Sequence, residues 1–318
     1  MPSKFSRRQY LKSMGALGAV YPLTWSLPEF IKIKEANSIP RDIYIFSKHL
    51  QWLDYQAMAS TAAQLGFNGV DLTVRPDGHV LPENVVEDLP RAVDAIYKAG
   101  LKVELMTTSI TSARDPNTAV ILKTATKLGI RMYRMGWLDF KTDKPIEAQL
   151  DPLKKQLKDL EEINKLYGLH GAYQNHAGTH VGASLWDIWY LIKDLDPTYL
   201  GVQFDIRHAM VESANAWTNG LQILAPFIKS SDIKDFTWAN KDGKWLVENV
   251  PIGQGVVDFK KYFQRLNDLK ITGPLCLHLE YPLGGANDGA KNISIPPDQV
   301  TKAMKSDLMN LKKLMSTG

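Results

Sequence analysis

Four segments in the second half of the chain each carry a polar cluster at, or directly after, the end of a short apolar run. The clusters are Gln174-x-His176, Asp205-x-x-His208, Asp232-x-Lys234 and His278-x-Glu280. A polar group at the end of a buried strand costs free energy unless it is paired, binds a metal or faces a substrate. Four clusters of this kind together predict a functional site.

Eight short runs with strand character alternate with amphipathic, helix-like segments. The runs are Ile43–Ser47, Gly69–Thr73, Lys102–Thr107, Arg131–Gly136, Gly171–Asn175, Gly201–Asp205, Ile228–Ile233 and Leu275–Glu280. Several helical segments end in a glycine just before a strand, which is a common helix stop. These alternations predict an α/β fold, a single (β/α)8 TIM barrel. A doubly wound open sheet is the alternative, but no Gly-x-Gly-x-x-Gly motif follows the first strand.

In such a barrel, residues two apart share a strand face, and the carboxyl ends of the strands form the active rim. This rule places twelve side chains inside the barrel or at its rim: Lys48, Asp71, Arg75, Glu104, Arg134, Gln174, His176, Asp205, Asp232, Lys234, His278 and Glu280. Internal pairing, for example of Glu104 with Arg134, would account for one or two of them. The remainder predicts a polar site.

The strand-end motifs resemble those of the xylose-isomerase-like barrels, often called sugar phosphate isomerases/epimerases. The motifs are Tyr173-Gln174-Asn175-His176-x-Gly178, Phe204-Asp205-x-x-His208, Ile233-Lys234-Asp235-Phe236, Gly253-x-Gly255-x-x-Asp258-Phe259 and Leu279-Glu280. The resemblance spans residues 42–315. Its fifth-strand stretch is also similar to the inosose dehydratases of that family. The resemblance implies an enzyme that acts on a sugar.

Members of that family typically hold one divalent ion with a Glu, an Asp, a His and a second Glu. The matching metal positions are Gln174, Asp205, Asp232 and Glu280, so Gln replaces the first Glu and Asp replaces the His. An all-oxygen set suits Mn²⁺, Mg²⁺ or Ca²⁺ better than Zn²⁺, with Mn²⁺ or Mg²⁺ expected here. His176 or His208 is an alternative nitrogen ligand. A site that binds sugar without a metal is the other hypothesis.

The resemblance also implies proton transfer at a carbon next to a carbonyl group, with an enediolate stabilised by the metal. Glu280 matches a family base, whereas Gln174 cannot act as one. His176 or His208 could replace it, because the unperturbed pKa of histidine is about 6.5. We therefore expect an isomerase or epimerase, or a lyase or dehydratase that carries out β-elimination on a 3-keto-glycoside. A non-catalytic periplasmic sugar-binding barrel is the alternative from another class.

Further rim residues are candidates for binding the carbohydrate. Lysine and arginine side chains there offer hydrogen-bond donors, unless they form internal salt bridges: Lys48, Arg75 and Lys234. Three tryptophans that follow strands offer stacking surfaces for sugar C–H groups, unless they fill the core: Trp52, Trp137 and Trp238. No glycine-rich phosphate signature follows the last two strands. We therefore expect an unphosphorylated sugar.

Composition and the amino terminus narrow the remaining classes. Of 318 residues, 44% are apolar and 23% are charged, as is typical of globular proteins. Lys4, Arg7, Arg8 and Lys12 supply four positive charges, which equal the formal net charge of +4, so the rest of the chain is close to neutral. Nucleic-acid binding is therefore not expected. The lone Cys276 lies in an apolar run, which predicts a buried structural thiol.

The segment Ser6-Arg7-Arg8-Gln9-Tyr10-Leu11-Lys12 resembles a twin-arginine export signal. We expect residues 1–30 to form this signal segment and residues 31–318 to form the barrel domain. A periplasmic protein follows from this interpretation, without stable membrane insertion beyond the signal. The sequence leaves homo-oligomer formation open.

Overall fold

The computed structural model describes residues 39–317, and the predicted signal segment lies outside them. Its strands are β1 (Ile43–Phe46), β2 (Gly69–Val74), β3 (Lys102–Thr108), β4 (Met132–Arg134), β5 (His170–Gln174), β6 (Leu200–Asp205), β7 (Ile228–Ile233), β8 (Asp235–Lys241), β9 (Lys244–Val250) and β10 (Leu275–Leu277). Strands β1 to β7 pair in parallel, each with the next, and β10 closes the barrel between β7 and β1. The predicted (β/α)8 barrel is confirmed.

Helices follow the strands along the chain. They are α1 (Tyr55–Leu65), α2 (Val85–Lys98), α3 (Pro116–Lys127), α4 (Glu147–Tyr167), α5 (Leu185–Ile192), α6 (Ile206–Ser213), α7 (Trp217–Leu224), α8 (Phe259–Asp268) and α9 (Pro297–Met315). The Asp54 carboxylate caps α1 by accepting a hydrogen bond from the Ala57 N–H at 2.8 Å. Gly66 and Gly168 end α1 and α4 in the left-handed conformation, as predicted for helix stops that lead into strands.

Apolar side chains fill the space between the helices and the barrel. Helix α8 shows the pattern, because its buried residues recur at helical spacing: Phe259, Tyr262, Phe263 and Leu266. Strands β2 and β6 are buried along their whole length, as expected for a parallel sheet that is covered by helices. This packing fixes the strand ends and therefore the side chains that project from them.

An antiparallel hairpin of β8 and β9 is inserted between β7 and α8. Its base is held by Asp235, whose carboxylate accepts hydrogen bonds from the backbone N–H groups of Phe236, Gly253, Gly255 and Val257. A Cβ atom at Gly255 would lie 2.1 Å from Asp235 Oδ1, so a side chain does not fit there. The glycine motif thus positions the hairpin. The sequence analysis did not predict these two strands.

Within residues 39–317, no helix combines the length and the apolar character that crossing a bilayer requires.

Candidate active site at the carboxyl ends of the strands

Lys234 is the centre of the polar cluster at the barrel mouth. It directly follows β7, and its side chain is 3% exposed. Its Nζ lies 3.0 Å from Asp205 Oδ2, 3.3 Å from Glu280 Oε2 and 3.0 Å from His208 Nε2. Burial alone would lower the pKa of Lys234, but the carboxylates of Asp205 and Glu280 outweigh it and raise the pKa. Lys234 is therefore a buried ammonium group that stays charged at neutral pH.

The Gln174 amide is oriented by its neighbours. Its Oε1 accepts a hydrogen bond from Arg134 Nη1 at 3.0 Å. Its Nε2 donates to Asp205 Oδ2 at 3.0 Å and also to Asp232 Oδ2. A guanidinium can only donate and a carboxylate can only accept, so this arrangement fixes which end of the amide is which. Gln174 consequently turns its NH₂ group, not its oxygen, towards the two aspartates.

The two aspartates have their oxygens engaged by protein donors. Asp205 Oδ1 accepts from the His208 N–H at the start of α6, at 3.1 Å, while Oδ2 faces Lys234 and Gln174. Asp232 Oδ1 accepts from Gln203 Nε2. Both aspartates are fully buried. Each carboxylate is thus satisfied within the protein itself.

Glu280 is the carboxylate of this cluster that reaches the solvent. Its side chain is 22% exposed, and its Oε1 lies 3.6 Å from Lys48 Nζ and 3.6 Å from His278 Nδ1. Burial alone would raise the pKa of Glu280, but the Lys234 ammonium, with His278 and Lys48, holds the pKa well below its usual range. Glu280 is therefore ionised at neutral pH and stands between a buried cation and the mouth.

His278 connects Glu280 to the interior. Its ring stacks on Phe46 with the ring centroids 4.3 Å apart. Its Nε2 lies 3.3 Å from Asp232 Oδ1, on the opposite side from Glu280. The Phe46 ring also carries three cations within about 6 Å of its centroid, the distance at which cation–π attraction acts: Lys48, Arg75 and Arg134. This floor of the site is aromatic and positively charged.

His176 forms a wall with Trp137 and His208. The ring centroid of His176 is 4.3 Å from that of Trp137 and 4.0 Å from that of His208. Its Nδ1 is 2.8 Å from the Ala177 carbonyl, which can only accept, so Nδ1 carries the proton and Nε2 keeps a lone pair. Burial, together with Lys234, lowers the pKa of His176 to about 4. His176 is therefore neutral at physiological pH.

His208 lies deeper than His176. It is 3% exposed, and its Nδ1 lies 2.9 Å from Arg207 Nη1 while its Nε2 faces Lys234. Burial, followed by the positive charge of Lys234, lowers its pKa well below the usual range. A ring between two cationic donors does not take up a proton readily. Of the two predicted histidines, His176 therefore has the better surroundings for accepting one.

The remaining predicted binding residues fall into two groups. The first group adjoins the site and consists of Lys48, Arg75 and Trp137. Burial lowers the pKa of Arg75 to about 10 and also lowers the pKa of Lys48. Trp52 is half-buried, and its Nε1 donates to the His49 carbonyl at 3.1 Å. Trp238 lies on β8 and is 45% exposed. The hairpin reaches the site through Asn249, whose Nδ2 donates to the Glu280 carbonyl at 3.3 Å.

Internal pairing differs from the expectation in one place. The predicted partner of Arg134 was Glu104, but Arg134 binds Gln174, and Glu104 accepts a hydrogen bond from the Tyr44 hydroxyl at 3.1 Å. The reason is depth, because Glu104 lies near the start of β3 whereas Arg134 ends β4. Sequence reasoning also missed Gln203 and Phe46. The alternation of side chains in strands would have found both, since each lies two residues before an identified rim residue.

The predicted metal ligands do not fit a divalent ion as they are arranged. The ammonium of Lys234 lies among the carboxylates, and Gln174 presents its NH₂ group to them. Within residues 39–317, the three potential ligand groups that come within 4.8 Å of one another are a different set, namely Asp71, Cys276 and His278, all buried. Burial, with the charge of Asp71, raises the pKa of the Cys276 thiol well above its usual range. The thiol donates to Asp71 Oδ2 at 3.3 Å.

A closed barrel whose strand ends converge on a buried ammonium, three carboxylates and an aromatic wall defines a TIM-barrel protein with a polar site at its mouth. Residues 59–304 match the family described as Xylose isomerase-like TIM barrel. The chain therefore belongs to that family. Comparison of the sequence with curated proteins gave no significant match.

Solved structures share this fold. The 3-keto-D-glucoside 4-epimerase YcjR from E. coli superimposes with a TM-score of 0.61 at 14% identity, covering 85% of this chain and 100% of the epimerase. The probable 3-DHS dehydratase AsbF from Bacillus anthracis gives 0.61 at 15% identity, covering 84% and 98%. The IOLI protein, with a bound zinc atom, gives 0.65 at 15% identity, covering 86% and 99%. Identities this low establish the fold alone.

Proposed function

We propose that the protein is an enzyme of the isomerase or epimerase type that acts on an unphosphorylated sugar or keto-sugar by enolisation. The observation that carries this proposal is the ionised Glu280 carboxylate, partly exposed at the mouth and held between Lys234, Lys48 and His278. The family and the likeness to a keto-glucoside epimerase and a probable dehydratase support the same class of chemistry.

Glu280 would take the proton from the carbon next to the substrate carbonyl. The electron pair of that C–H bond then forms the C=C bond of an enediol or enediolate, and the carbonyl oxygen gains the negative charge. Lys48 and Arg75, which surround the Phe46 ring at the rim, would donate hydrogen bonds to that oxygen and to neighbouring hydroxyls. Trp137 and His176 would provide the wall against which the sugar ring packs.

The site also supports a second reaction, β-elimination from a 3-keto-glycoside. Gln174 is fixed as a hydrogen-bond donor to two aspartates, so it cannot act as a base at the position where the family carries a glutamate. Proton removal on one face only favours loss of a leaving group from the enediolate. In that case the enediolate oxygen re-forms the C3 carbonyl, a double bond forms between C1 and C2, and the C1–O bond breaks. Its electron pair goes to the glycosidic oxygen, which takes up a proton from water.

The family resemblance implies Mn²⁺ or Mg²⁺, and solved structures that share this fold contain zinc or magnesium. The residues around Lys234 do not fit a divalent ion here, because the Lys234 ammonium and the Gln174 NH₂ group face the carboxylates. No step of the proposed reaction is therefore assigned to a metal.

Exchange of substrate hydrogen for deuterium tests the proposal. Ketoses and 3-keto-glycosides would be incubated with the protein in D₂O, and exchange at the α-carbon followed by NMR. Glu280→Gln is expected to lower exchange by about a hundredfold or more, whereas Glu248→Gln, at a glutamate of the hairpin that pairs with Lys241, is expected to leave it unchanged.

The products separate the alternatives. Exchange with a new epimer indicates an epimerase, and exchange with release of the aglycone indicates a lyase. Binding of a sugar without exchange in any of these compounds would contradict the enzyme proposal and favour a sugar-binding barrel.

The proposed location is the periplasm, on the basis of the segment SRRQYLK at residues 6–12. Replacement of Arg7 and Arg8 by lysine is expected to retain the protein in the cytoplasm, as measured by cell fractionation.

A further inference from the structure

The cation at the centre of the site belongs to the chain. In a metal-dependent site of this kind, a divalent ion would be surrounded by carboxylates from several strand ends. Here the Lys234 ammonium has that place, 3.0 Å from Asp205 on β6 and 3.3 Å from Glu280 beyond β10. Both distances are within the range of an ammonium–carboxylate ion pair, in which N and O are no more than about 4 Å apart.

The other donors around the carboxylates agree with this arrangement. Gln174 and Gln203 direct their NH₂ groups at Asp232, and Gln174 also donates to Asp205. The second oxygen of Asp205 is used by the amino end of α6. Side-chain and backbone donors thus engage the oxygens that a metal would need.

The orientation of Gln174 is itself held in place. Arg134 is 4% exposed and donates to Gln174 Oε1 at 3.0 Å. Turning the amide to offer its oxygen to a metal would set its NH₂ group against the guanidinium, where two donors face each other. The Arg134–Gln174 pair therefore stabilises the metal-free arrangement.

We infer that the Lys234 ammonium takes the place of the divalent ion in this chain and positions Glu280, so that the wild-type cluster binds no divalent ion. Lys234 is a positioning residue, because its buried side chain acts through Glu280. Only the consequence for catalysis rests on the proposed function. Metal binding is measured on the folded protein without a substrate.

The test compares wild type with Lys234→Met, which removes the ammonium but retains a long side chain. Lys48→Met is the matched control, since Lys48 also faces Glu280 but from the rim at 3.6 Å. Mn²⁺ binding would be followed by electron paramagnetic resonance of free Mn²⁺ and by thermal unfolding with and without the ion. In Lys234→Met, the place of the ammonium is bordered by carboxylate oxygens of Asp205 and Glu280 and by His208 Nε2. The two carboxylates suit Mn²⁺.

The expected result is no saturable Mn²⁺ binding at this cluster in wild type or Lys48→Met, with wild-type melting insensitive to EDTA. Lys234→Met is expected to bind Mn²⁺ at least about tenfold more tightly than wild type and to melt at a higher temperature with the ion than without it. If Lys234→Met does not fold, the same comparison of Mn²⁺ binding is made between Lys234→Gln and wild type.

One result would overturn the inference: stoichiometric Mn²⁺ binding by wild type that is lost in Asp205→Asn but kept in Cys276→Ser. If instead wild type binds Mn²⁺ and Cys276→Ser does not, the ion is assigned to Asp71, Cys276 and His278. That result agrees with the inference, because the Lys234 ammonium is still in place. Absence of deuterium exchange in wild type would contradict the proposed function but would not affect the conclusion about metal binding. The two failures are thus distinguishable.

Discussion

Replacing Lys234 by methionine should cost the barrel stability as well as change its affinity for metals. Methionine occupies a similar length but leaves Asp205 without the ammonium that lies 3.0 Å from its Oδ2. Asp205 is fully buried, so water cannot replace the lost partner. Gln174 continues to donate to Asp205 but carries no charge.

The magnitude follows from burial. Removing one partner of a buried ion pair typically costs about 3–5 kcal/mol, because an uncompensated charge stays behind. The contact with the partly exposed Glu280 adds at most about 1 kcal/mol. At about 2 °C per kcal/mol for a large domain, we expect the melting temperature of Lys234→Met to fall by about 6–12 °C in the presence of EDTA. Lys48→Met, which removes a weaker contact at the rim, should lose about 2 °C or less.

The dependence on pH provides an internal check. Because the folded pKa of Lys234 is raised above its ordinary value of 10.5, its contribution to stability is fully present below pH 10.5 and is lost as the pH rises through the folded pKa. The difference in unfolding free energy between wild type and Lys234→Met should therefore be constant from neutral pH to about 10 and shrink above it.

Urea or thermal unfolding of both variants across that pH range measures this difference. Equal melting temperatures for wild type and Lys234→Met would refute the buried ion pair. A difference that already disappears between pH 7 and 9 would show that Lys234 is not held in its charged form.

Two further perturbations probe the surroundings of the ammonium. Gln174→Glu replaces a donor by a third carboxylate beside Asp205 and Asp232, so we expect it to destabilise the fold near neutral pH by about 3–5 kcal/mol. Its stability should recover on acidification. The stability of Gln174→Met, measured in the same unfolding series, should not recover. Asp235→Ala removes the acceptor of four backbone N–H groups, so we expect faster proteolysis and faster amide exchange confined to the hairpin, while exchange in β6 stays unchanged.

The barrel could be predicted because its signals are local. Strand-length apolar runs and the glycines that end helices lie next to one another in the sequence, and Gly66 and Gly168 indeed end helices in the left-handed conformation. The hairpin of β8 and β9 also has a local signal that the sequence analysis did not use, namely the Asp242-Gly243 pair at its turn, where both residues have positive φ. The contacts that hold its base could not be predicted from a local pattern, because Asp235 binds Gly253 and Gly255 at the other end of the hairpin in sequence.

The candidate site was predictable as a set of positions but not as a set of interactions. The alternation of side chains along strands was enough to select Gln174, Asp205, Asp232, Lys234 and Glu280 as neighbours. It could not say which of these side chains points its donor at which acceptor. The direction in which each donor points depends on the side-chain rotamers and on the contact that Arg134 makes from another strand. The same residue types would also suit either a metal site or an internal ion pair.

The geometry around Lys234 distinguishes these two interpretations by charge. A site built for a divalent ion leaves its carboxylates short of protein donors, because the ion neutralises them. Here the ammonium lies among them, and two glutamine amides and a helix amino end supply the remaining hydrogen bonds. Exchanging a metal for a lysine also exchanges a strong Lewis acid for a weaker, hydrogen-bonding cation. In the reaction proposed above, stabilisation of the enolate would then depend more on Lys48 and Arg75 at the rim.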